Sequence, residues 1–322
     1  MFVVNNMGPE ETVHSSSGKM LRGALWGLML VVSVVIYGSH APLIFLCRVG
    51  GQLPFSSSSV VLLIELSKLI ISVVMLLIWD CKSRHLAVSC RLAMPYAFPA
   101  ILYGANNNLV VHMQHYMDPS SFQVLSNLKI VSTALMYSIF LSQNLSIQKW
   151  LALSLLTVAG LFYSYGGIQD LEKQSTDTHL YISLQGILLM VIYCLISGLS
   201  AVYTEVTLKT QKIPLSLQNI FLYSFGIMVN FFVHLTESDS QGFLDGFSVW
   251  VLVIIISQAL NGLIMSAVMK HSSNLTRLFI ISFSMLVNGL LSYLLFQLQL
   301  TLLFFFAVFL IGLAVYLFYG IK

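Results

Sequence analysis

The sequence predicts an all-α integral membrane protein with ten transmembrane helices. Of its 322 residues, 57% are hydrophobic and only 8% are charged, whereas about a quarter of the residues of an ordinary soluble domain are charged. A spanning helix needs about 20 predominantly apolar residues, and windows of this kind recur along the chain with short polar breaks between them. They cover residues 24–46, 58–79, 95–115, 119–141, 147–167, 181–208, 214–235, 247–269, 272–294 and 300–320.

The distribution of basic residues supports an even number of spans, because Lys and Arg accumulate in the cytosolic loops of membrane proteins. With a cytosolic N-terminus, ten basic residues fall on the cytosolic side: Lys19, Arg22, Lys82, Arg84, Arg91, Lys149, Lys209, Lys212, Lys270 and Lys322. Only Arg48 and Lys173 fall on the opposite side, and three basic residues remain inside spans. Both termini are therefore predicted to be cytosolic.

The chain is predicted to hold one membrane domain. Residues 1–23 form a cytosolic N-terminal tail that we expect to be disordered, and residues 24–320 form the ten-helix domain. The tail lacks the order of a cleaved signal peptide, so we expect the first span to serve as an uncleaved signal anchor. The longest break between spans, about 15 residues, is too short to bury a hydrophobic core.

The sequence shows no pattern that is typical of an enzyme or a metal site. The two acidic residues inside spans, Glu65 and Glu205, lie on different helices, and the histidines are scattered singly. No metal-type pair and no disulfide framework is formed by the cysteines, which are Cys47, Cys81, Cys90 and Cys194. We therefore expect neither catalysis nor a cofactor.

Polar side chains recur inside five of the spans, where they must face neighbouring helices or a water-filled cavity. In the third span, Tyr103, Asn106 and Asn107 share one helical face at i, i+3 and i+4. The seventh, eighth and ninth spans add Gln218, Asn219, Tyr223, Gln258, Asn261 and Arg277. Each amide taken singly fits an interhelical hydrogen bond, but polar faces on five helices together favour a polar cavity.

The fourth span combines polar groups with a buried charge. Phe122, Ser126 and Lys129 follow at i, i+4 and i+7 and form one stripe, with Gln123 and Asn127 on the neighbouring stripe. Lys129 lies about ten residues, or roughly 15 Å, from the start of this helix. A Lys side chain does not easily reach water over that distance.

Two pairs of opposite charges stand at helical spacing. Glu65 and Lys68 are at i, i+3, and Glu205 and Lys209 are at i, i+4, so each pair can cancel its charge on one helix. We interpret both as structural pairs, and the second, near the cytosolic end of its span, is also suited to close a gate.

Lys129 and Arg277 have no carboxylate within helical reach. Two cations without a partner, surrounded by hydrogen-bond donors, indicate an anion site. A nucleotide suits this site better than a bare ion, because it offers phosphate to the cations and a flat base to the Tyr and Phe rings.

The residues resemble a known family at this point. The run "YAFPAILYGANNNLVVHMQHYMDPSSFQVLSNLKIVSTAL" is similar to the third and fourth spans of nucleotide-sugar transporters, solute carrier family 35, subfamily A. Further similarity is found in "ELSKL", "SGLSAVYTEVTLK", "LQNIFLYSFG" and "NGLIMSAVMKHSSNLTR". The resemblance extends over the chain from about residue 24. It implies the drug/metabolite transporter fold, with two inverted five-helix halves at about 24–167 and 181–320.

The resemblance also implies a nucleotide site and a role for its lysine. By position, the substrate-binding residues are Tyr103, Asn106, Asn107, Phe122, Gln123, Ser126, Lys129, Asn219, Tyr223 and Arg277. Lys129 matches a lysine that meets phosphate in members of the family. Phe122 and Ser126 stand where relatives have tyrosines, and Arg277 stands for a lysine. These departures leave the base and sugar preferences open.

The function implied is that of a Golgi membrane antiporter. It would carry a pyrimidine nucleotide-linked sugar or alditol, UDP-, CMP- or CDP-linked, from cytosol to lumen in exchange for the nucleoside monophosphate, by alternating access. The expected partners are these small molecules, membrane lipid, and a second copy or a related transporter, with no nucleic acid. The alternatives are a non-transporting scaffold for Golgi transporters and glycosyltransferases, and, third, a membrane-embedded transferase.

Overall fold

The computed structural model describes residues 9–48, 54–78, 90–113, 115–142, 144–174, 183–236, 242–297 and 300–320. The regular elements of these ranges are helices: α1 (Pro9–Leu46), α2 (Ser57–Ile78), α3 (Cys90–Met113), α4 (Pro119–Leu125), α5 (Lys129–Phe140), α6 (Ile147–Gln174), α7 (Leu184–Thr210), α8 (Leu215–Thr236), α9 (Val249–His271), α10 (Asn274–Phe296) and α11 (Leu302–Val315). A 3₁₀ turn, Ser126–Leu128, joins α4 to α5, and α11 continues into one π-helical turn, Tyr316–Gly320.

Within the described residues, eight helices are long and apolar enough to cross a membrane. They comprise the apolar part of α1 together with α2, α6, α7, α8, α9, α10 and α11 including its π turn. The predicted spans outside this set are the third, where α3 carries the polar run 106–108, and the interrupted fourth. The structure is therefore that of a multi-pass membrane protein.

The first helix begins earlier than the sequence predicts. α1 starts at Pro9, inside the tail for which we expect disorder, and residues 1–8 lie outside the described residues. Proline is favoured at the first position of a helix, because its fixed φ suits the helix and its missing N–H would have no partner there. The local sequence thus favours a helix start at this point.

The fourth predicted span is not one continuous helix, so the prediction of an uninterrupted helix over 119–141 is wrong. Asp118 caps α4 by accepting a hydrogen bond from the backbone N–H of Ser121 at 2.9 Å. The chain then tightens into the 3₁₀ turn, where the buried Asn127 amide donates to the carbonyl oxygens of Gln123 and Val124 at 3.1 and 3.0 Å. Such bonds to the preceding turn compete with regular helical geometry.

The same amide ties the break to α6. Asn127 Nδ2 lies 3.2 Å from the carbonyl oxygen of Gly160 and 3.0 Å from the hydroxyl of Ser164. Gly160 permits this approach, because a Cβ at that position would lie 2.4 Å from Asn127 Oδ1. These contacts fix the 3₁₀ turn against Gly160 and Ser164 of α6. Lys129 begins the helix that follows the turn.

The helices pack in a pattern that repeats along the chain. α2 packs on α8 and α6 packs on α11, so each of these contacts joins an early helix to a late one. Three further contacts, α1 with α10, α1 with α9, and α2 with α9, have counterparts in α7 with α5, α7 with α3, and α8 with α3. Exchanging α1, α2, α3, α4–α5 and α6 for α7 to α11 in order therefore maps the most extensive of these contacts onto one another, whereas α7 with α9, α8 with α9 and α6 with α10 have no counterpart of similar extent among the described residues.

The Asn127 contact can be tested with two glycines of α6. We expect Gly160→Ala to lower the free energy of unfolding by about 1–3 kcal/mol, the usual cost of overpacking, because the new methyl group displaces the Asn127 amide from its acceptors. Gly167→Ala is the matched control, since a Cβ there meets no atom within 4 Å. Thermal unfolding of the purified protein in detergent measures both, and equal melting temperatures would contradict the role given to Asn127.

Candidate functional site

A cavity of about 320 Å³ lies among the central helices. Side chains from α1, α2, α3, α7, α8, α9 and α10 line it. Its polar and charged lining residues are Tyr37, His40, Glu65, Lys68, Tyr103, Asn107, Thr204, Tyr223, Asn230, Gln258, Asn261, Ser266 and Arg277. Since seven helices contribute, no single stretch of the sequence contains the site.

The pair that helical spacing predicts on α2 is present in this cavity. Lys68 Nζ lies 2.6 Å from Glu65 Oε1 and 5.2 Å from the centre of the Tyr223 ring, a cation–π distance. Two glycines leave room for the pair, because a Cβ at Gly226 would lie 2.9 Å from Glu65 Oε2 and one at Gly262 would lie 2.7 Å from Lys68 Cε. The pair brings little net charge to the cavity.

A second, smaller cavity of about 60 Å³ adjoins the first. Tyr37, Tyr103 and Arg277 line both cavities. Lys129 lines only the smaller one, where its neighbours include Thr133, Ser197 and Asn274. The two cations that the sequence leaves without a carboxylate thus lie around one small cavity, although they come from α5 and α10.

No carboxylate neutralises these cations within the part of the chain that the structure describes. The ion pairs found there are Glu65–Lys68 and Glu205–Lys209. The Arg277 guanidinium lies beside the Tyr103 phenol, and its Nη1 is 3.8 Å from the sulfur of Met269. Neither contact cancels a positive charge, so the small cavity is suited to an anion.

Three of the residues assigned by resemblance lie away from both linings. Phe122 packs edge-on against Tyr193 with ring centres 5.5 Å apart, beside a cluster rich in methionine. Ser126 donates its hydroxyl to the carbonyl oxygen of Gln123 at 2.8 Å, and the Gln123 side chain is exposed. Phe122 and Ser126 therefore do not line the cavity that Lys129 lines.

Two further assigned residues are buried at helix contacts. Asn106 on α3 and Asn219 on α8 are 8% and 3% exposed, and they line neither cavity. The side-chain oxygen of each has no hydrogen-bond partner among the described residues. The structure therefore brings together Tyr103, Asn107, Lys129, Tyr223 and Arg277 from the assigned set and leaves the others outside.

Asn274 is a residue that the sequence alone did not single out as part of the site. It is 1% exposed and lines the small cavity with Lys129 and Arg277. Both polar atoms of its side chain lack a partner among the residues described, a costly state that a bound ligand or water relieves. Asn274 precedes Arg277 by three residues at the start of α10, so the two share a helical face. This spacing is the sequence feature that could have identified Asn274.

The second predicted pair joins α7 to the start of α10. Lys209 Nζ lies 2.5 Å from Glu205 Oε1 and 2.6 Å from the carbonyl oxygen of Ser272. Glu205 Oε2 accepts the backbone N–H of Asn274 at 2.7 Å, although the Glu205 side chain is fully buried. We call these four residues the α7–α10 latch, because together they tie the end of one helix to the start of another.

Comparisons with known proteins identify relatives of this chain. A sequence model described as nucleotide-sugar transporter matches residues 28–319. A Xenopus tropicalis protein named probable UDP-sugar transporter protein SLC35A4 is 70% identical over 317 residues, which are 98% of this chain and 99% of that protein. Proteins of the same name from Danio rerio and Homo sapiens are 53% and 50% identical, over 96% and 93% of this chain and 98% and 95% of theirs.

A structural comparison adds evidence on the fold alone. A protein of known crystal structure matches with a TM-score of 0.69 over 92% of this chain and 98% of its own, at 9% sequence identity. The sequence matches span almost the whole chain, and the structure combines apolar membrane-crossing helices with a buried, positively charged cavity. The chain therefore belongs to the nucleotide-sugar transporter family and is a membrane transporter, not an enzyme.

Proposed function

We propose that this transporter exchanges a pyrimidine nucleotide-linked sugar or alditol for a nucleoside monophosphate by alternating access. It would work in the Golgi membrane, from cytosol to lumen. One observation carries the proposal: Lys129 and Arg277, without carboxylates among the described residues, line the same small cavity inside the membrane domain. UDP is the favoured nucleotide, because the relatives with 50–70% identity are named probable UDP-sugar transporters.

The phosphate is the group that this small cavity suits best. The Lys129 ammonium and the Arg277 guanidinium supply positive charge and several N–H donors. The Asn274 amide, which has no partner among the described residues, adds a further donor on the same wall. Tyr103 lies beside Arg277 and lines both cavities, so its ring is available to stack or its hydroxyl to bind.

Exchange follows from the charge of the cavity. Nucleotide sugar and nucleoside monophosphate carry similar negative charge, so moving one against the other transfers little net charge. An unloaded cavity would carry the charges of Lys129 and Arg277 uncompensated through the membrane, which is costly. The empty transporter should therefore reorient slowly, and a loaded one quickly.

Alternating access requires two halves that rock against each other, and the packing supports two halves of this kind. We propose ten spans with both termini cytosolic, α4 and α5 together forming the fourth. The most extensive helix contacts are reproduced when the first five spans are exchanged for the last five. That property is expected of two similar halves related by a pseudo-two-fold axis in the membrane plane.

The α7–α10 latch would close the cytosolic end of this pathway. In the proposed topology, α7 ends and α10 begins at the cytosolic side, where Lys209 and Glu205 bind Ser272 and Asn274. Asn274 is also a wall residue of the small cavity. A ligand that binds Asn274 and Arg277 would therefore act on the helix start that the latch holds.

The phosphate role predicts a loss of exchange when the lysine is removed. Lys129→Ala should lower the exchange of UMP or CMP in proteoliposomes by about tenfold or more, the effect of losing one charge-assisted hydrogen bond. Lys129→Arg, which keeps the charge, should retain part of the activity. Unchanged exchange by a folded Lys129→Ala protein, checked by its melting temperature, would refute the role.

A thermal-shift panel separates transport from a scaffold role. Purified protein is mixed with UMP, CMP and GMP and with UDP-, CMP-, CDP- and GDP-linked sugars or alditols. A ligand at 100 times its dissociation constant stabilises the folded state by about 2.7 kcal/mol, so a transporter should show selective stabilisation by one pyrimidine series. A scaffold without a ligand site predicts no selective shift.

If the α7–α10 latch closes the cytosolic end, removing Lys209, its exposed member, should increase access to the small cavity from the cytosol. Lys209→Met removes the bond to Ser272 and leaves the buried Glu205 carboxylate without its cation. We expect the cytosol-open population to rise by about fivefold or more, because breaking a pair with a buried partner costs more than losing an exposed one. The readout is labelling of Ser197→Cys, in the small cavity, by a membrane-impermeant thiol reagent from the cytosolic side of a chain whose native cysteines are replaced. Lys212→Met, on an exposed side chain, is the control and should leave the rate unchanged.

A further inference from the structure

The two cavities differ in size and in charge, and this suggests different parts of one ligand. The small cavity holds the unneutralised Lys129, whereas the charges of Glu65 and Lys68 in the larger one cancel. Arg277 and Tyr103 lie where the two meet. A phosphate bound at this junction would leave the cavity of about 320 Å³ free for a group attached to it.

The larger cavity has two buried polar atoms that the protein does not satisfy. His40 Nδ1 on α1 and Gln258 Nε2 on α9 have no hydrogen-bond partner among the described residues, and both residues line this cavity. A buried polar atom without a partner destabilises the folded state, because it has lost its hydrogen bonds to water. Such atoms at a cavity wall are therefore places where a ligand gains free energy.

Polar residues close to Gln258 in the sequence do have hydrogen-bond partners. Asn261, one turn from Gln258, accepts a hydrogen bond from the Ser33 hydroxyl at 2.8 Å. Ser257, beside Gln258 in sequence, donates to the carbonyl oxygen of Ile254 at 3.0 Å. Among the described residues that line this cavity, only His40 and Gln258 have a buried side-chain atom without a partner.

The remaining lining favours hydroxyl groups over an apolar or a singly charged group. The Glu65–Lys68 pair offers an acceptor and donors beyond their mutual bond, because a carboxylate has two oxygens and an ammonium has three N–H groups. Asn230 uses its Nδ2 to donate to Gly226 at 2.8 Å, and its oxygen is an acceptor on the same lining. A hydroxyl both donates and accepts, so several hydroxyls satisfy this mixture.

We propose that His40 and Gln258 form a subsite that recognises the polyhydroxylated group, sugar or alditol, joined to the nucleotide phosphate. The Gln258 amide donates to a hydroxyl oxygen of that group, and His40 Nδ1 donates or accepts according to its tautomer. The inference rests on the proposed transport of nucleotide-linked sugars and assigns the part of the site that distinguishes the sugar-bearing substrate from the returning monophosphate.

The test compares substrates with and without the polyol. Dissociation constants are measured by thermal shift and isothermal titration for UDP-galactose against UDP and UMP, and for CDP-glycerol against CDP and CMP. Gln258→Leu, which keeps the volume and removes the donor, should weaken the preferred polyol-bearing ligand about tenfold, the loss of one buried hydrogen bond. Its monophosphate should bind within about twofold of wild type, because the phosphate contacts are intact. His40→Leu tests the other atom independently.

Two readouts separate recognition from a structural role. A structural role of Gln258 predicts a lower melting temperature for ligand-free Gln258→Leu, whereas removal of a buried donor that has no partner among the described residues leaves it unchanged or raises it. Ser257→Ala, whose hydroxyl is already bonded, is the matched control and should change neither binding nor stability.

Three outcomes would overturn the proposal. They are equal losses for the polyol-bearing ligand and its monophosphate, no loss in either variant, and a lower melting temperature without a selective loss of binding. Failure of the proposed function would give a different experimental result. In that case wild-type protein binds neither UMP nor CMP, and no monophosphate drives exchange in proteoliposomes.

Discussion

A charge inside a membrane must be neutralised by the protein or by something that the protein carries. Glu65 and Lys68 satisfy this constraint on one helix, with 2.6 Å between their charged atoms, and Glu205 does so with Lys209 and the start of α10. Lys129 and Arg277 do not satisfy it among the described residues, and they lie around the same small cavity. The paired charges therefore stabilise the fold, whereas the small cavity with its two unpaired cations needs an anion.

The position of Lys129 depends on a neutral side chain. Asn127 bonds to the carbonyl oxygens of Gln123, Val124 and Gly160, and the helix that carries Lys129 starts directly after that network. One buried amide therefore tightens the chain and joins it to α6, two residues before the lysine that lines the small cavity. The polar break is tolerated at membrane depth because protein atoms satisfy its backbone and side chain.

The helices were predictable because membrane-crossing segments have a strong compositional signal. Helices occur at the predicted windows with shifts of a few residues in most cases, as in α8 (Leu215–Thr236) against the window 214–235. The early start of α1 and the 3₁₀ turn at Ser126–Leu128 were missed. Hydropathy reports whether a segment prefers lipid, but a turn made by the hydrogen bonds of Asn127 depends on α6, which is distant in sequence.

The sequence by itself determined the membrane class, the charge pairs at i, i+3 and i+4, and the presence of two cations without local carboxylates, because these depend on composition and on spacing along one helix. Only the tertiary structure decided that Lys129 and Arg277 share a cavity, that Phe122 and Ser126 do not line it, and that Asn274, His40 and Gln258 do line the two cavities. The physical reason is that each cavity is formed where side chains from five or more helices meet. The spacing within a helix determines which face a residue is on, whereas the packing of the other helices determines what that face meets.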